Sequence, residues 1–420
     1  MSILDQGLEP RLFPITRSEE DRATSYLLST FLSVAEFRRA LMETVGRKTL
    51  RSGTDIEAFL HPSFDGKYSQ KCIPDGLIVH DRGDKWQSTI EVKLKSSELT
   101  LPQLEKYLEE TVEHKLDALI TISNELCQSP DRPPLRLKSS SRALSKVPHF
   151  HWSWKFIEHT ARHCLSAGIE NETQKYMLAE FVRFLRTEGS GVSGFTSMSK
   201  VWSTVVDDLK ARVSPEQEEL ETIVSDWHQE CAELQLQLSD CLGKHTPLLK
   251  EKKKFRQEEQ LERDVNLLRD KGDLTAKFDV DGKKHPLCVE LELDQRVLRV
   301  SKRYDAPTSA KRSLTQIEHF LRRFLNEGEL DTAQHEGVHI QVKWAYVSEP
   351  KSTTLFDALQ DYVNGDLQKN RLMIEESRPI VWIELRYSPP RSTAKVANKK
   401  KVIELLESSV EHFCDHYLFP

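Results

Sequence analysis

The string Ile90-Glu91-Val92-Lys93-Leu94 constrains the fold of this chain more than any other segment. Apolar and charged residues alternate along it. On a β-strand residues two apart share a face, so Glu91 and Lys93 project together while Ile90, Val92 and Leu94 enter a core. Such a strand needs a sheet with an apolar layer on one side and polar chemistry on the other. Just upstream, Ile73-Pro74-Asp75-Gly76 opens a second apolar run that reaches His80. The runs Asp75 to His80 and Ser88 to Leu94 predict a hairpin in which Asp75 approaches Glu91. Two neighbouring carboxylates repel unless a cation lies between them, and hard oxygen ligands favour Mg²⁺ or Mn²⁺. Such an ion offsets charge developing on a phosphate, and an adjacent ammonium can orient water or stabilise the transition state. The pattern predicts phosphodiester hydrolysis.

Around this pair the periodicities predict an α/β core. Ala23, Leu27, Leu28, Phe31, Leu32, Phe37 and Leu41 recur at helical spacing from Ser18, a candidate N-cap, to about Val45. Asp55 to His61 reads as the strand before the hairpin. A helix through Leu101, Leu104, Tyr107, Leu108 and Val112 follows it, then a strand from Leu116 to Ser123. Phe150, Trp152, Trp154 and Phe156 alternate as one face of a fifth strand, with His149 and His151 as its polar face. Helical patterns from Glu158 to Gly168 and Asn171 to Thr187 precede a Gly/Ser hinge at Gly189 to Ser199. The expected order is αβββαβ, a mixed sheet flanked by helices, in a domain spanning 15–190.

A helical connector is expected over 200–271. Within it Leu220, Val224, Trp227, Cys231, Leu234, Leu238 and Cys241 form a heptad seam, either packed within the chain or joining a homodimer. An α+β domain over 272–420 is expected to recognise substrate or a protein partner. Its strands are predicted at Leu274 to Val280, Pro286 to Leu293, Val338 to Val347 and Ile380 to Tyr387. Its helices are predicted at Ser313 to Asn326, Thr353 to Leu367 and Lys399 to Tyr417.

Composition excludes some classes. No run of about twenty apolar residues is present, so no membrane partner is expected, and the N-terminus lacks a signal-peptide pattern, which predicts a cytoplasmic chain. The seven cysteines contain no C-x-x-C pair. They predict small core residues, with neither a disulfide framework nor zinc. A net charge of -6 does not advertise a nucleic-acid binder, so local clusters matter. Arg132, Arg136, Lys138 and Arg142 lie among serines after the fourth strand, and Arg296, Arg299, Lys302 and Arg303 open the most basic stretch of the chain. Both read either as nucleic-acid contacts or as solvated surface.

Pro74-Asp75 with Glu91-Val92-Lys93 resembles the motif of the PD-(D/E)xK nuclease superfamily, and the resemblance covers roughly residues 15 to 157. Gln103-Leu104-Glu105-Lys106-Tyr107 is similar to the Q-x-x-x-Y element of its RecB-like branch. Glu20-Asp21-x-x-Thr24-x-x-Leu27 looks like the acidic first motif of related prokaryotic nucleases. The resemblance implies a restriction-endonuclease-like fold in which Asp75, Glu91 and the Val92 carbonyl ligate Mg²⁺ or Mn²⁺, with Glu20 adding a ligand directly or through water. Without the resemblance, Glu20 is simply a first-turn acid stabilising a helix dipole. Lys93 would be the catalytic base or electrostatic stabiliser, positioned by Gln103, and Tyr107 would contact the metal site and the nucleic acid. No cysteine cluster suited to an iron–sulfur centre is present, and none is expected. DNA is the expected substrate and anti-phage or mobile-element defence the expected context. The competing reading is a non-cutting scaffold of the same fold that binds nucleic acid or a protein.

Overall fold

The computed structural model describes the chain except residues 1–2, 6, 15, 17, 48–55, 65–72, 81–84, 96, 98, 136–143, 145–146, 250–256, 283–284, 307–311, 326–334, 374–377, 391 and 419–420. It divides into two units, Met1–Phe195 and Thr196–Pro420. The first contains β1 (Ile3–Asp5), α1 (Glu19–Ser33), α2 (Ala35–Thr44), β2 (Ile56–Leu60), β3 (Ser63–Phe64), β4 (Gly76–His80), β5 (Trp86–Val92), α3 (Leu101–Glu113), β6 (Ala118–Ser123), β7 (His149–Ser153), α4 (Trp154–Ala167) and α5 (Glu172–Arg186). Five strands form a mixed sheet in the order β2-β4-β5-β6-β7. The β2/β4 and β4/β5 pairs are antiparallel, and β5/β6 and β6/β7 are parallel.

Strand alternation divides the apolar residues between two layers. Ile90, Val92, Ile120, Ile122 and Trp152 pack with Leu27, Phe31, Phe37, Leu41, Ile157 and Phe181 from the helices. Leu119 packs with Leu104 and Leu108 of α3. The expected single N-terminal helix is broken at Val34, whose backbone is extended between α1 and α2. The fifth strand is shorter than its aromatic alternation suggests. The Ser153 hydroxyl accepts from the Phe156 N–H at 3.0 Å, capping α4, so Trp154 and Phe156 are helical.

Glu110 faces inward from α3. It is 2% exposed, neither carboxyl oxygen has a hydrogen-bond partner among the described residues, and burial, with Glu113 nearby, pushes its pKa from 4.5 up to about 7. The unfolded chain therefore releases this proton at lower pH than the folded one. Its contribution to stability falls as pH rises from about 4.5 to about 7. Glu110→Gln should gain on the wild type as pH rises, by roughly 1–3 kcal/mol once the wild-type acid ionises. Thermal melts of both proteins at pH 5 and pH 8 check this, and a stability gap that does not widen with pH would count against it.

The second unit contains α6 (Trp202–Ala211), α7 (Gln217–Leu242), α8 (Gln257–Lys271), β8 (Asp273–Phe278), β9 (Leu287–Glu292), β10 (Val297–Tyr304), α9 (Ser313–Leu321), β11 (Val338–Trp344), β12 (Lys351–Thr354), α10 (Leu355–Val363), β13 (Ile380–Tyr387), α11 (Ser392–Val396) and α12 (Lys401–Tyr417). Its six-stranded antiparallel sheet runs β12-β11-β13-β10-β9-β8. The helices expected to form a connector belong to this same unit. The heptad residues Leu220, Val224, Trp227, Cys231, Leu234 and Leu238 are buried inside it, where α7 packs against α8 and α12. Strand β10 falls in the basic stretch and was not expected as a strand.

One expectation is corrected outright: Cys241 and Cys414 form a disulfide between α7 and α12, 173 residues apart in sequence. Helix packing brings these cysteines together, which spacing along the chain cannot reveal. Cys127, Cys164, Cys231 and Cys288 are free thiols, and Cys72 lies outside the described residues. No helix among the described residues is long and apolar enough to cross a membrane.

Candidate functional site

The polar residues of the first unit converge because the strands pair in one register. Gly76 pairs with Leu60 on one side and with Ile90 on the other. One step on, Asp75 lies between His61 and Glu91. The His61 N–H donates to the Asp75 carbonyl at 3.2 Å, and the Val92 N–H donates to Asp75 Oδ2 at 2.7 Å. Glu91 pairs in turn with Thr121, and Thr121 with His151. A single cross-strand row, His61-Asp75-Glu91-Thr121-His151, thus spans the five-stranded sheet. Gly76 keeps this row tight, since a Cβ there would meet Leu28 Cδ1 at 3.1 Å and the Phe59 carbonyl at 3.4 Å.

Lys93 closes the centre of the row. Its Nζ donates to Glu91 Oε1 at 2.5 Å and to the Val92 carbonyl at 3.0 Å, while its own carbonyl accepts from Trp154 Nε1 at 3.0 Å. Glu91 is 3% exposed. Burial, then the neighbouring Asp75, pushes its carboxyl up to about 7 against the opposing pull of Lys93 and a hydrogen bond from Tyr107. Asp75 is also raised, by burial first and by Glu20 further, against the Val92 N–H, Lys93 and His61. Burial works against the Lys93 ammonium as well, but Glu91, Asp75 and Glu20 outweigh it and hold its pKa above the ordinary lysine value.

These donors suit a divalent cation. The carboxyl oxygens are hard ligands in a partly desolvated place, and Glu91 Oε2 is buried without a hydrogen-bond partner among the described residues; the ligand atoms that lie within 4.8 Å of one another, however, are those of Asp21, His61 and Asp75, a set without Glu91 or Glu20. A positive group, the Lys93 ammonium, already bridges Glu91 Oε1 and the Val92 carbonyl. The sequence reading missed a second group, in which Asp21, His61 and Asp75 offer ligand atoms all within 4.8 Å of one another. His61 Nε2 is 3.4 Å from Asp21 Oδ1, and His61 sits just past β2 with φ of +49°. That left-handed backbone is uncommon for residues other than glycine, histidine being one of those found there more often. Asp21 was visible only as the neighbour of Glu20, and nothing in the sequence marks His61.

The other expected residues are distributed unevenly. Glu20 Oε1 accepts from the Leu94 N–H at 3.3 Å, which ties the first turn of α1 to the end of β5. Tyr107 reaches Glu91. Gln103, one turn earlier, is exposed, and its Oε1 accepts from the Thr100 N–H and hydroxyl at 3.0 Å, capping α3. Arg132 is half-buried, whereas Arg136, Lys138 and Arg142 lie outside the described residues.

In the second unit the basic residues are engaged locally. Arg296 pairs with Asp207 and Arg299 with Glu292. Lys302 lies 3.2 Å from Asp281 and donates to the His285 carbonyl at 2.7 Å. Arg303 pairs with Glu384 at 2.6 Å and lies over the Trp382 ring.

Beside Glu91 and Lys93 opens a pocket of about 280 Å³, walled by Thr121, Ser123, His149 and His151 from the sheet and by Leu99, Pro134 and Leu135. His151, expected on an open polar face, is 2% exposed. No family model, no curated protein and no solved structure matches this chain.

Proposed function

We propose that the first unit is a metal-dependent nuclease with a restriction-endonuclease-like core, and that it hydrolyses phosphodiester bonds, of DNA in the first instance. The observation that carries the reading is the convergence of Asp75, Glu91 and Lys93 on neighbouring strands, with the Lys93 Nζ 2.5 Å from Glu91 Oε1 and Asp75 Oδ2 fixed by the Val92 N–H. Asp75, Glu91 and the Val92 carbonyl, with Glu20 adjoining, would hold Mg²⁺ or Mn²⁺, which supplies Lewis-acid charge neutralisation at the scissile phosphate. Asp21 and His61 extend the ligand set on the far side of Asp75.

Lys93 keeps its proton in this setting, because three carboxylates surround it. Of its two expected roles, electrostatic stabilisation of the phosphate therefore fits better than proton abstraction. The Val92 N–H orients Asp75, and Tyr107 holds Glu91 from the α3 side. The mixed α/β architecture and the motif order of Pro74-Asp75, Glu91-Val92-Lys93 and the helix bearing Tyr107 support the same reading. Anti-phage or mobile-element defence is the proposed setting.

Supercoiled plasmid incubated with the purified chain tests it. Nicking is expected with Mg²⁺ or Mn²⁺, none in chelator, and none with Glu91→Gln. Plasmid that is retained by the protein yet stays intact at every metal concentration would replace the nuclease with the non-cutting scaffold.

A further inference from the structure

The polar row continues past Glu91 into a hydrogen-bonded group that the nuclease motif does not include. Thr121 Oγ1 lies 3.0 Å from His149 Nε2 and 2.9 Å from His151 Nδ1. His151 Nε2 lies 2.8 Å from the Glu125 carbonyl. A carbonyl oxygen only accepts, so His151 carries a proton on Nε2. Burial pushes the His151 imidazole down to about 4, so near neutral pH the ring is uncharged and its Nδ1 accepts. The Thr121 hydroxyl then donates to Nδ1, the Phe150 carbonyl at 3.3 Å being the more distant alternative. The Thr121 oxygen is left to accept from His149 Nε2–H. The direction of each bond follows from the buried end outward, and it sets the orientation of the His149 ring.

His151 is 2% exposed and His149 is half-buried, and both line the same pocket as Glu91 and Lys93. Leu99 and Leu135 give this pocket apolar walls beside its polar groups.

We propose that His149 is a nucleotide-contacting residue of this pocket, positioned by Thr121 and His151. The identity of the ligand rests on the nuclease reading above; the positioning of His149 does not.

The test combines binding and a double-mutant cycle on the full chain. Thymidine 5′-monophosphate is titrated with Mg²⁺ while histidine ring ¹⁵N signals are followed. The His149 ring should shift, and by more than the His151 ring, which is the more buried of the two. His149→Ala should lower nucleotide affinity and plasmid cleavage roughly 10- to 100-fold. Thr121→Val should lose most of that, and Thr121→Ser, which keeps the hydroxyl, should recover it. In the His149→Ala background, Thr121→Val should cost less than about twofold more, because a positioning residue acts through its partner. Additive losses would overturn the positioning role. A His149 ring unmoved by the nucleotide, in a chain that cuts plasmid, would overturn the contact and leave the nuclease reading intact. A ring that shifts in a chain that never cuts would do the reverse, with the cycle then read on nucleotide affinity.

Discussion

Lys93→Ala is expected to lower plasmid cleavage on the order of 100- to 1000-fold while leaving Mn²⁺ affinity within about threefold of the wild type at pH 8. Its ammonium contacts Glu91 Oε1 and the Val92 carbonyl, atoms proposed to ligate the ion, so its removal exposes ligands and does not delete one. The same change removes a group that lowers the Glu91 carboxyl, already at about 7. In the variant Glu91 should hold its proton to higher pH, and Mn²⁺ binding should shift toward the alkaline side. Asp75→Asn has the contrary signature. It removes a charge shared between the proposed Asp75/Glu91 ligand set and the Asp21/His61 group, and metal affinity should fall by about 10- to 100-fold or more, together with cleavage. Calorimetric Mn²⁺ titrations at pH 6 and pH 8 separate the two. The opposite assignment of effects would sink the roles given to these residues.

Lys302→Ala should act on stability and not on DNA. Lys302 is 2% exposed on β10, and its ammonium is held by Asp281 and the His285 carbonyl. Truncation leaves a largely buried carboxylate without its cation, a loss of about 3–5 kcal/mol. Lys302→Met, which keeps the apolar stem, should recover part of the packing but none of the charge compensation. Urea unfolding of the second unit should register the loss, while the salt dependence of DNA binding stays unchanged. Undiminished stability together with a salt slope reduced by about 1 would mean that this lysine reaches a phosphate after all.

Lys302 also marks where burial is legible in the sequence. It shares strand phase with Leu298 and Val300, both buried, so its inward direction was implicit in the alternation. Counting charges along the stretch hid this. At Glu91 and Lys93 the same alternation was followed, and it gave the central pair directly. Asp75 was reachable because a hairpin fixes its own register. His61 was not, since β2 joins through a segment whose length says nothing about which residue meets Asp75. The break at Val34 was invisible for another reason: α1 and α2 bury their apolar residues in one core, so the helical spacing runs on through a residue that is not helical. The Phe150 to Phe156 alternation misled because the strand hands over to α4 in mid-pattern, signalled only by the Ser153 cap.

A site laid out as one transverse line has a particular vulnerability. Moving β6 by one position against its neighbours would put Ile120 or Ile122 where Thr121 stands and turn the hydroxyl toward grease. Insertions and deletions are thus intolerable within the strands themselves, however mild the residue, while the connections between them are open to length change. The chemistry proposed for this unit depends on counting as much as on charge.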